Sequence, residues 1–265
     1  MTPHISVIIP TYHAHETIAR AVASIRNAGV PMAQVQVVIA PADGQDYTYL
    51  AGQAQNITIA TSAEVRSGAG PARNRALQAA KADYVAFLDA DDTWEDLYLA
   101  ELLPLAQKFG AAFGSTSILD QGQEILRLPL QNSLSFADFA RSGASFHPVV
   151  SRMHAGPFIN RPSQDIMHSL EVVALYGNAV PVSQAAYQLH LNPLSTTADS
   201  NFSRRATAAY EAYVQDIRLG KTRIPAAYHE DTVAVFHAKS RLNRAYTDAG
   251  GTQSYYQFIA AMRPC

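Results

Sequence analysis

Two aspartates stand two residues apart at Asp89-Ala90-Asp91, with Asp92 next to them, directly after the apolar run at residues 84–88. Carboxylates that close repel one another, and a hard cation such as Mg²⁺ or Mn²⁺ offsets the repulsion. Mg²⁺ in particular takes one or two carboxylates together with substrate phosphates. Asp91-Asp92-Thr93 could equally cap a following helix, and spacing alone does not separate the two. A second acidic segment, Asp43-Gly44-Gln45-Asp46, follows the apolar run at residues 35–40. The segment Arg66-Ser67-Gly68-Ala69-Gly70-Pro71-Ala72-Arg73-Asn74-Arg75 leads into a helical pattern. A glycine-rich loop at a helix start is a generic anion site, although a plain glycine turn fits the same residues. It is no dinucleotide fingerprint, because Arg73 stands where the third glycine belongs, and G-x-x-x-x-G-K-[ST] is absent. Carboxylates beside a phosphate-binding loop make joint sense when a divalent cation bridges them to a diphosphate.

Other chemistries find no footing. The one cysteine, Cys265, is the last residue, which excludes a disulfide framework and any cysteine-based zinc site. Nine histidines invite a metal reading, yet His15-Glu16 and His229-Glu230 both lack the second histidine of H-E-x-x-H. His13-Ala14-His15 reads as a capping or solvent pair at a helix start. There is no G-x-S-x-G elbow to supply a hydrolase nucleophile. The net charge is −2, so charge alone favours neither nucleic acid nor an anionic membrane.

The elements that must position these groups follow from the hydrophobic pattern. Runs at residues 5–9, 35–40, 57–60 and 84–88 are rich in β-branched residues and nearly continuous, as strands buried on both faces are. Between the first two, residues 14–27 place Ile18, Val22 and Ile25 on one helical face, and Gly29-Val30-Pro31 stops the helix. Residues 71–81 read as a helix with Pro71 at its first position. Alternating strands and helices imply a parallel sheet with right-handed crossovers. In such sheets ligands sit beyond the carboxyl ends of the strands, where the acidic and glycine-rich segments fall. Beyond Asp92 the pattern loosens: helices at 95–108, 135–141, 164–176, 199–219, 230–244 and 253–262, and strands at 111–119, 124–128, 148–153 and 184–191. The hairpin turn is at Asp120-Gln121-Gly122.

Residues 172–198 carry no Asp, Glu, Lys or Arg, long enough to span a bilayer. Gly177, Asn178, Pro181, Gln184, Gln188, His190, Asn192 and Pro193 interrupt them, which favours helix, turn and strand inside a domain. The N-terminus lacks a basic region and a long apolar core, so no targeting segment is expected. No transmembrane segment is expected either, and peripheral membrane contact stays open.

Four linked motifs carry a family resemblance: Ile5-Ser-Val-Ile-Ile-Pro-Thr-Tyr12, Asp43-Gly44-x-Asp46, Gly70-Pro-Ala-Arg-Asn-Arg-Ala76, and Phe87-Leu-Asp-Ala-Asp-Asp-Thr-Trp94. In order and interval they resemble the family 2 glycosyltransferases of GT-A fold, firmly over residues 4–95 and more weakly to about residue 195. The resemblance implies a mostly parallel, Rossmann-like α/β sheet flanked by helices, with a mixed acceptor half and a helical tail. It implies one domain over 1–265: a nucleotide-sugar half at 1–95, an acceptor half at 96–220 and a tail at 221–265.

The resemblance also implies an inverting transfer from a nucleotide-sugar donor. UDP-sugar is favoured, with GDP- and dTDP-sugars as alternatives, and Mn²⁺ or Mg²⁺ as the divalent cation. Pro10, Thr11, Tyr12, Asp43, Gly70, Arg73, Asp89 and Ala90 would line the donor site. Of these, Thr11 and Asp43 would hold the base, Arg73 would lie near base and phosphate, and Asp89 would approach ribose or sugar. Asp91 would hold the cation on the diphosphate, with His190 near the metal or phosphate. Asp165, in Ser163-Gln164-Asp165, would be the general base on the acceptor hydroxyl, although Ser163 or Asp165 could instead cap the helix. Gln164 replaces the usual Glu, and removes a neighbouring negative charge that would strengthen the Asp as a base. In the stretch from Ala186 to Ser195, Gln188 replaces the usual Arg. Trp94 could stack on a sugar, though a core or rim aromatic is the plainer reading. The acceptor would be a glycan, lipid-linked or protein hydroxyl of a cell-surface pathway, and the protein cytoplasmic or peripheral at the inner face of the membrane.

Two other functions compete. A nucleotidyltransferase would want a basic glycine-rich loop after the first strand, and Thr11-Tyr12-His13-Ala14-His15 is neither. A non-catalytic glycan- or nucleotide-binding protein is kept open by Gln164 and Gln188, and opposed by the retention of Asp91 and Asp165.

Overall fold

The computed structural model describes residues 3–52, 56–129, 131–192, 202–250 and 253–262. Its first half is the parallel sheet that the alternation implies. β1 (Ile5–Thr11) leads through α1 (Ile18–Asn27) to β2 (Val35–Pro41), then through the short α2 (Thr48–Ala51) to β3 (Ile57–Ile59). α3 (Ala69–Ala79) returns the chain to β4 (Tyr84–Phe87). β1 pairs in parallel with β2 on one side and β4 on the other, and β2 pairs in parallel with β3. Both faces are covered, which is why the strands read as unbroken apolar runs. Val7 and Ile9 pack with Ile18, Val22 and Ile25 of α1, whereas Ile8 packs with Ala72 and Ala76 of α3.

After β4 come the two-residue β5 (Thr93–Trp94), α4 (Tyr98–Phe109) and a hairpin of β6 (Ala111–Asp120) and β7 (Gln123–Leu128). Gln121 and Gly122 turn that hairpin at φ 50° and 83°. β8 (Ser133–Leu134), α5 (Phe136–Arg141), β9 (Pro148–Ser151), α6 (Gln164–Leu175) and β10 (Val180–His190) follow. α7 (Phe202–Arg218), α8 (His229–Asp248) and α9 (Tyr255–Ala261) form the tail end. The sheet order is β3-β2-β1-β4-β9-β6-β10-β5, with β7 on β6 and β8 on β10. β9 enters antiparallel to both β4 and β6, β10 runs parallel to β6, and β5 lies antiparallel on β10. The fold is therefore α/β, parallel through β4 and mixed beyond it.

Several expected boundaries move, each for a local reason. α1 begins at Ile18 rather than at residue 14; a turn in which the Ala14 carbonyl accepts from the N–H groups of Thr17 and Ile18 leads into it. α3 begins at Ala69, so Pro71 is its third residue and not its first. α4 begins at Tyr98 rather than at residue 95, because Thr93 and Trp94 are drawn onto the edge of β10. The uncharged stretch from residue 172 resolves into the end of α6, a turn at Gly177 with φ 85°, and β10. Among the described residues no helix is long and apolar enough to cross a membrane. Ser195, Asp199 and Cys265 lie outside the described residues.

Candidate active site

The chain runs from β1 outward to β3 and returns to β4 on the other side of β1, so the strand order reverses between β1 and β4. A crevice forms beyond the carboxyl ends at such a switch point. Thr11 ends β1, and Asp89 lies just past β4. The Thr11 hydroxyl is buried without a hydrogen-bond partner, an uncommon state for a polar atom. Tyr12, immediately after it, is half exposed.

Asp43, beyond β2, accepts from His13 N–H at 2.6 Å, Tyr47 O–H at 2.9 Å and Gln45 N–H at 3.0 Å. Burial opposes its charge, but the hydrogen bonds from Gln45, His13 and Tyr47 together win, and its pKa lies below the ordinary carboxylate value. Three donors leave one lone-pair direction of the carboxylate for a ligand. His13 and His15 cap no helix: His13 Nδ1 meets Gln45 Nε2 at 3.0 Å, and His15 stacks on Tyr47 at 4.4 Å.

The 70–76 motif works residue by residue. A Cβ at Gly70 would stand 2.6 Å from the Ile159 carbonyl oxygen, so glycine lets the start of α3 press against that segment. Asn74 clasps Phe158 both ways, donating to its carbonyl at 2.8 Å and accepting from its N–H at 2.7 Å. Arg75 donates to the carbonyls of Ala60 and Pro41, tying α3 to the β2 and β3 ends. Arg73, 3% exposed in its side chain, forms an ion pair with Asp89, whose side chain is 31% exposed. Burial opposes the Asp89 charge and the guanidinium outweighs it, so the carboxyl stays below its ordinary range. Gly70 and Arg73 thus have structural partners within the protein as well as their expected places at the donor loop.

The carboxylate turn caps no helix, since α4 starts only at Tyr98, with Leu97 before it. Arg20 donates to the Asp91 carbonyl at 2.7 Å and so braces the turn. The Asp91 carboxyl is raised by burial and then by the neighbouring Asp89 charge. Asp92 is buried, accepting from Tyr187 O–H at 2.7 Å and His190 N–H at 2.9 Å. Its pKa stands well above the ordinary value, from burial and then the charges of Asp91 and Asp89. Thr93 Oγ1 donates to Gln188 Oε1 at 2.8 Å and lies 2.8 Å from His190 Nε2. With its proton given to Gln188, the hydroxyl accepts from Nε2–H, leaving Nδ1 of His190 with its lone pair. Burial, then Arg20, lowers the His190 pKa to about 4, so the ring is neutral at pH 7. Among the described residues no three His, Cys, Asp or Glu groups converge as a metal cage. One carboxylate crowded by another, and a neutral imidazole, nevertheless fit a cation that draws its other ligands from phosphates and water. Trp94 is 3% exposed and stacks on Tyr98 at 4.7 Å, so it is a core residue and offers no platform to a sugar.

Asp165 is half-buried in the first turn of α6. Ser163 holds the N-cap position at φ 58° but makes no capping hydrogen bond with its side chain, so the alternative of a serine cap is not formed. With its amide oxygen turned toward the guanidinium, Gln164 accepts from Arg73 Nη1 and, at 3.2 Å, from Asp165 N–H. Arg73 therefore reaches from Asp89, just past β4, to the residue beside Asp165. His147 stands in no motif of the sequence. It lies 3.8 Å from Asp89 through Nε2, is stacked on Tyr187 at 4.4 Å, and has both ring nitrogens buried without partners. An open cleft of about 450 Å³ is lined by Trp94, Glu95, Asp96 and Gln188.

A crevice at a switch point is general to open α/β sheets; likeness to solved structures makes this one the GT-A fold of glycosyltransferases. TarS of S. aureus (residues 1–349, in complex with UDP-GlcNAc) superposes with a TM-score of 0.69 at 14% identity, over 97% of this chain and 78% of that one. The mannosyltransferase PcManGT from Pyrobaculum calidifontis, with GDP-Man and Mn²⁺, gives 0.54 at 16% identity, over 98% and 79%. The model of glycosyl transferase family 2 matches residues 6–160, more than half of the chain, and the chain belongs to that family. TuaG of Bacillus subtilis (strain 168), named for teichuronic acid biosynthesis, is 33% identical over 120 residues. That alignment takes in 43% of this chain and 46% of TuaG, so the chain matches under half the length of this relative.

Proposed function

We propose that this protein is an inverting glycosyltransferase, moving a sugar from a nucleotide-diphosphate sugar to an acceptor hydroxyl. The observation that carries the reading is Arg73 joining Asp89 to Gln164. That link supports reading the donor-side carboxylates and the candidate base Asp165 as parts of one site. Thr11 and Asp43 hold the base of the nucleotide, Arg73 turns to its phosphates, and Asp89 holds the ribose. The acceptor oxygen attacks the anomeric carbon from the face opposite the diphosphate while Asp165 takes its proton. The bond from carbon to phosphate oxygen breaks, and the nucleoside diphosphate leaves with the electron pair. Asp91, with His190, would hold a divalent cation, which when bound neutralises charge on the leaving diphosphate.

UDP is the favoured nucleotide, in line with the UDP-GlcNAc complex of TarS, while GDP-Man in the mannosyltransferase keeps GDP as the rival. The TuaG name directs the acceptor toward a glycan. We place the reaction in the cytoplasm, at the inner face of the membrane where the acceptor is lipid-linked. The test is a thermal-shift screen with UDP, GDP and dTDP, each with and without Mn²⁺. UDP with Mn²⁺ should raise the midpoint most; no shift with any nucleotide would sink the reading.

A further inference from the structure

We infer that His147 is the positioning residue for Asp89: when the donor diphosphate draws the Arg73 guanidinium away, Nε2–H of His147 takes over the carboxylate. The inference rests on the donor reading above. His147 is 6% exposed, and neither ring nitrogen has a hydrogen-bond partner. Leaving a buried polar group unpaired is costly, so its retention calls for a partner in another state of the site. Nε2 faces Asp89 Oδ2 at 3.8 Å. That is too long for a hydrogen bond and one small side-chain movement short of making it.

The surroundings fix the ring in line. It stacks on Tyr187 at an interplanar angle of 15°. Tyr187 Oη accepts from the Asp89 N–H at 3.0 Å and donates to Asp92 at 2.7 Å. His147 immediately precedes β9, whose Val149 lies opposite Ala86 of β4, so backbone register carries it to the strand end that bears Asp89. The other oxygen of Asp89 is held by Arg73, whose Nε is also buried without a partner. A diphosphate offers that guanidinium several charged oxygens in bidentate geometry. Asp89 would then lose its partner while still needed on the ribose, and His147 is the donor within reach.

Calorimetric titration of UDP with Mn²⁺ into wild type, His147→Phe, Asp89→Asn and the double variant tests this. Phenylalanine keeps the stack on Tyr187 and removes both nitrogens. His147→Phe should keep or raise the ligand-free melting midpoint, yet bind UDP about tenfold more weakly, the loss of one charge-assisted hydrogen bond. On the Asp89→Asn background the same change should matter less than about twofold, a coupling that a packing role would not give. His147→Gln, whose amide falls near Nε2, should recover affinity; His147→Asn, reaching only the Nδ1 position, should not. Wild-type affinity in His147→Phe, or a tenfold loss that persists beside Asp89→Asn, would overturn the assignment. Wild-type protein that takes up no UDP at all would remove the donor reading, and the His147 role with it.

Discussion

Arg73 and Asp89, both assigned to the proposed donor site, are bonded to each other, and the same guanidinium reaches Gln164 at the start of α6. In the proposed reading a nucleotide sugar takes both places, and donor binding would then exchange one set of partners for another. The ion pair keeps a buried arginine neutralised in the meantime, which matters because an unpaired buried charge is strongly destabilising.

Arg73→Lys tests that exchange. Lysine keeps the charge but lacks the planar fork that serves Asp89 and Gln164 at once. The variant should lose about 1.5–3 kcal/mol of stability in urea denaturation, in the range of a charged hydrogen bond. It should also bind UDP with Mn²⁺ at least about tenfold more weakly by calorimetry. Unchanged affinity would place the diphosphate away from α3.

Asp91→Asn separates two consequences of carboxylate crowding. Burial and the Asp89 charge both raise the Asp91 carboxyl, so the ligand-free fold carries an unrelieved cost there. The amide removes it, and the melting midpoint without metal should rise. The stabilisation that UDP and Mn²⁺ give, about 2.7 kcal/mol at a hundred times Kd, should largely disappear. Retained Mn²⁺-dependent stabilisation would move the cation to Asp89.

Much of the sheet edge to which the donor is assigned was legible, because its residues lie in contiguous motifs at strand ends. Asp43, Arg73, Asp89 and Asp91 could be placed from alternation alone, since a parallel sheet brings strand ends to one edge. His147 could not. Its position depends on β9 inserting antiparallel between β4 and β6, a long-range pairing with no local signature. The role of Asn74 within its motif has no local signal for a similar reason: its partner Phe158 is distant in the chain. Trp94 was ambiguous because a tryptophan beside a metal motif suits a rim or a core equally. The two-residue β5, too short for any periodic signal, decided for the core.

Acid should weaken the fold through histidines buried in neutral form. His168 is 2% exposed, meets the Ala155 carbonyl at 2.9 Å through Nε2 and stacks on Phe158 at 4.0 Å. Burial first, then Arg223, holds its pKa well below 6.5. The unfolded chain takes up a proton near pH 6.5 and the folded chain does not. Below that pH the unfolded state binds more protons, and stability falls by up to about 1.4 kcal/mol per pH unit for this group. Asp91 and Asp92, whose pKa values are raised, work in the opposite sense. The measurement is therefore the difference between wild type and His168→Gln in urea denaturation from pH 7 to 4.5. The glutamine variant should lose less stability across that range, and parallel curves would mean that His168 is protonated in the fold.

Asp165→Asn decides between a catalyst and a binding protein on the same fold. Asp165 lies in the first turn of α6, where the backbone N–H groups favour a negative side chain. Asparagine keeps the size and position but cannot take the acceptor proton. If Asp165 is the base, UDP affinity should stay within about twofold, since the Arg73–Asp89 pair and Asp43 are untouched. Sugar transfer should fall by about 10²–10⁴, the usual worth of a positioned general base. The matched control is Gln164→Ala, which removes the amide that meets Arg73 and leaves the Asp165 carboxylate in place. That change should act mainly on donor affinity, with turnover at saturating donor reduced much less. Undiminished turnover in Asp165→Asn would reject it as the base, whereas a wild-type protein that binds UDP yet transfers no sugar would identify a binding protein.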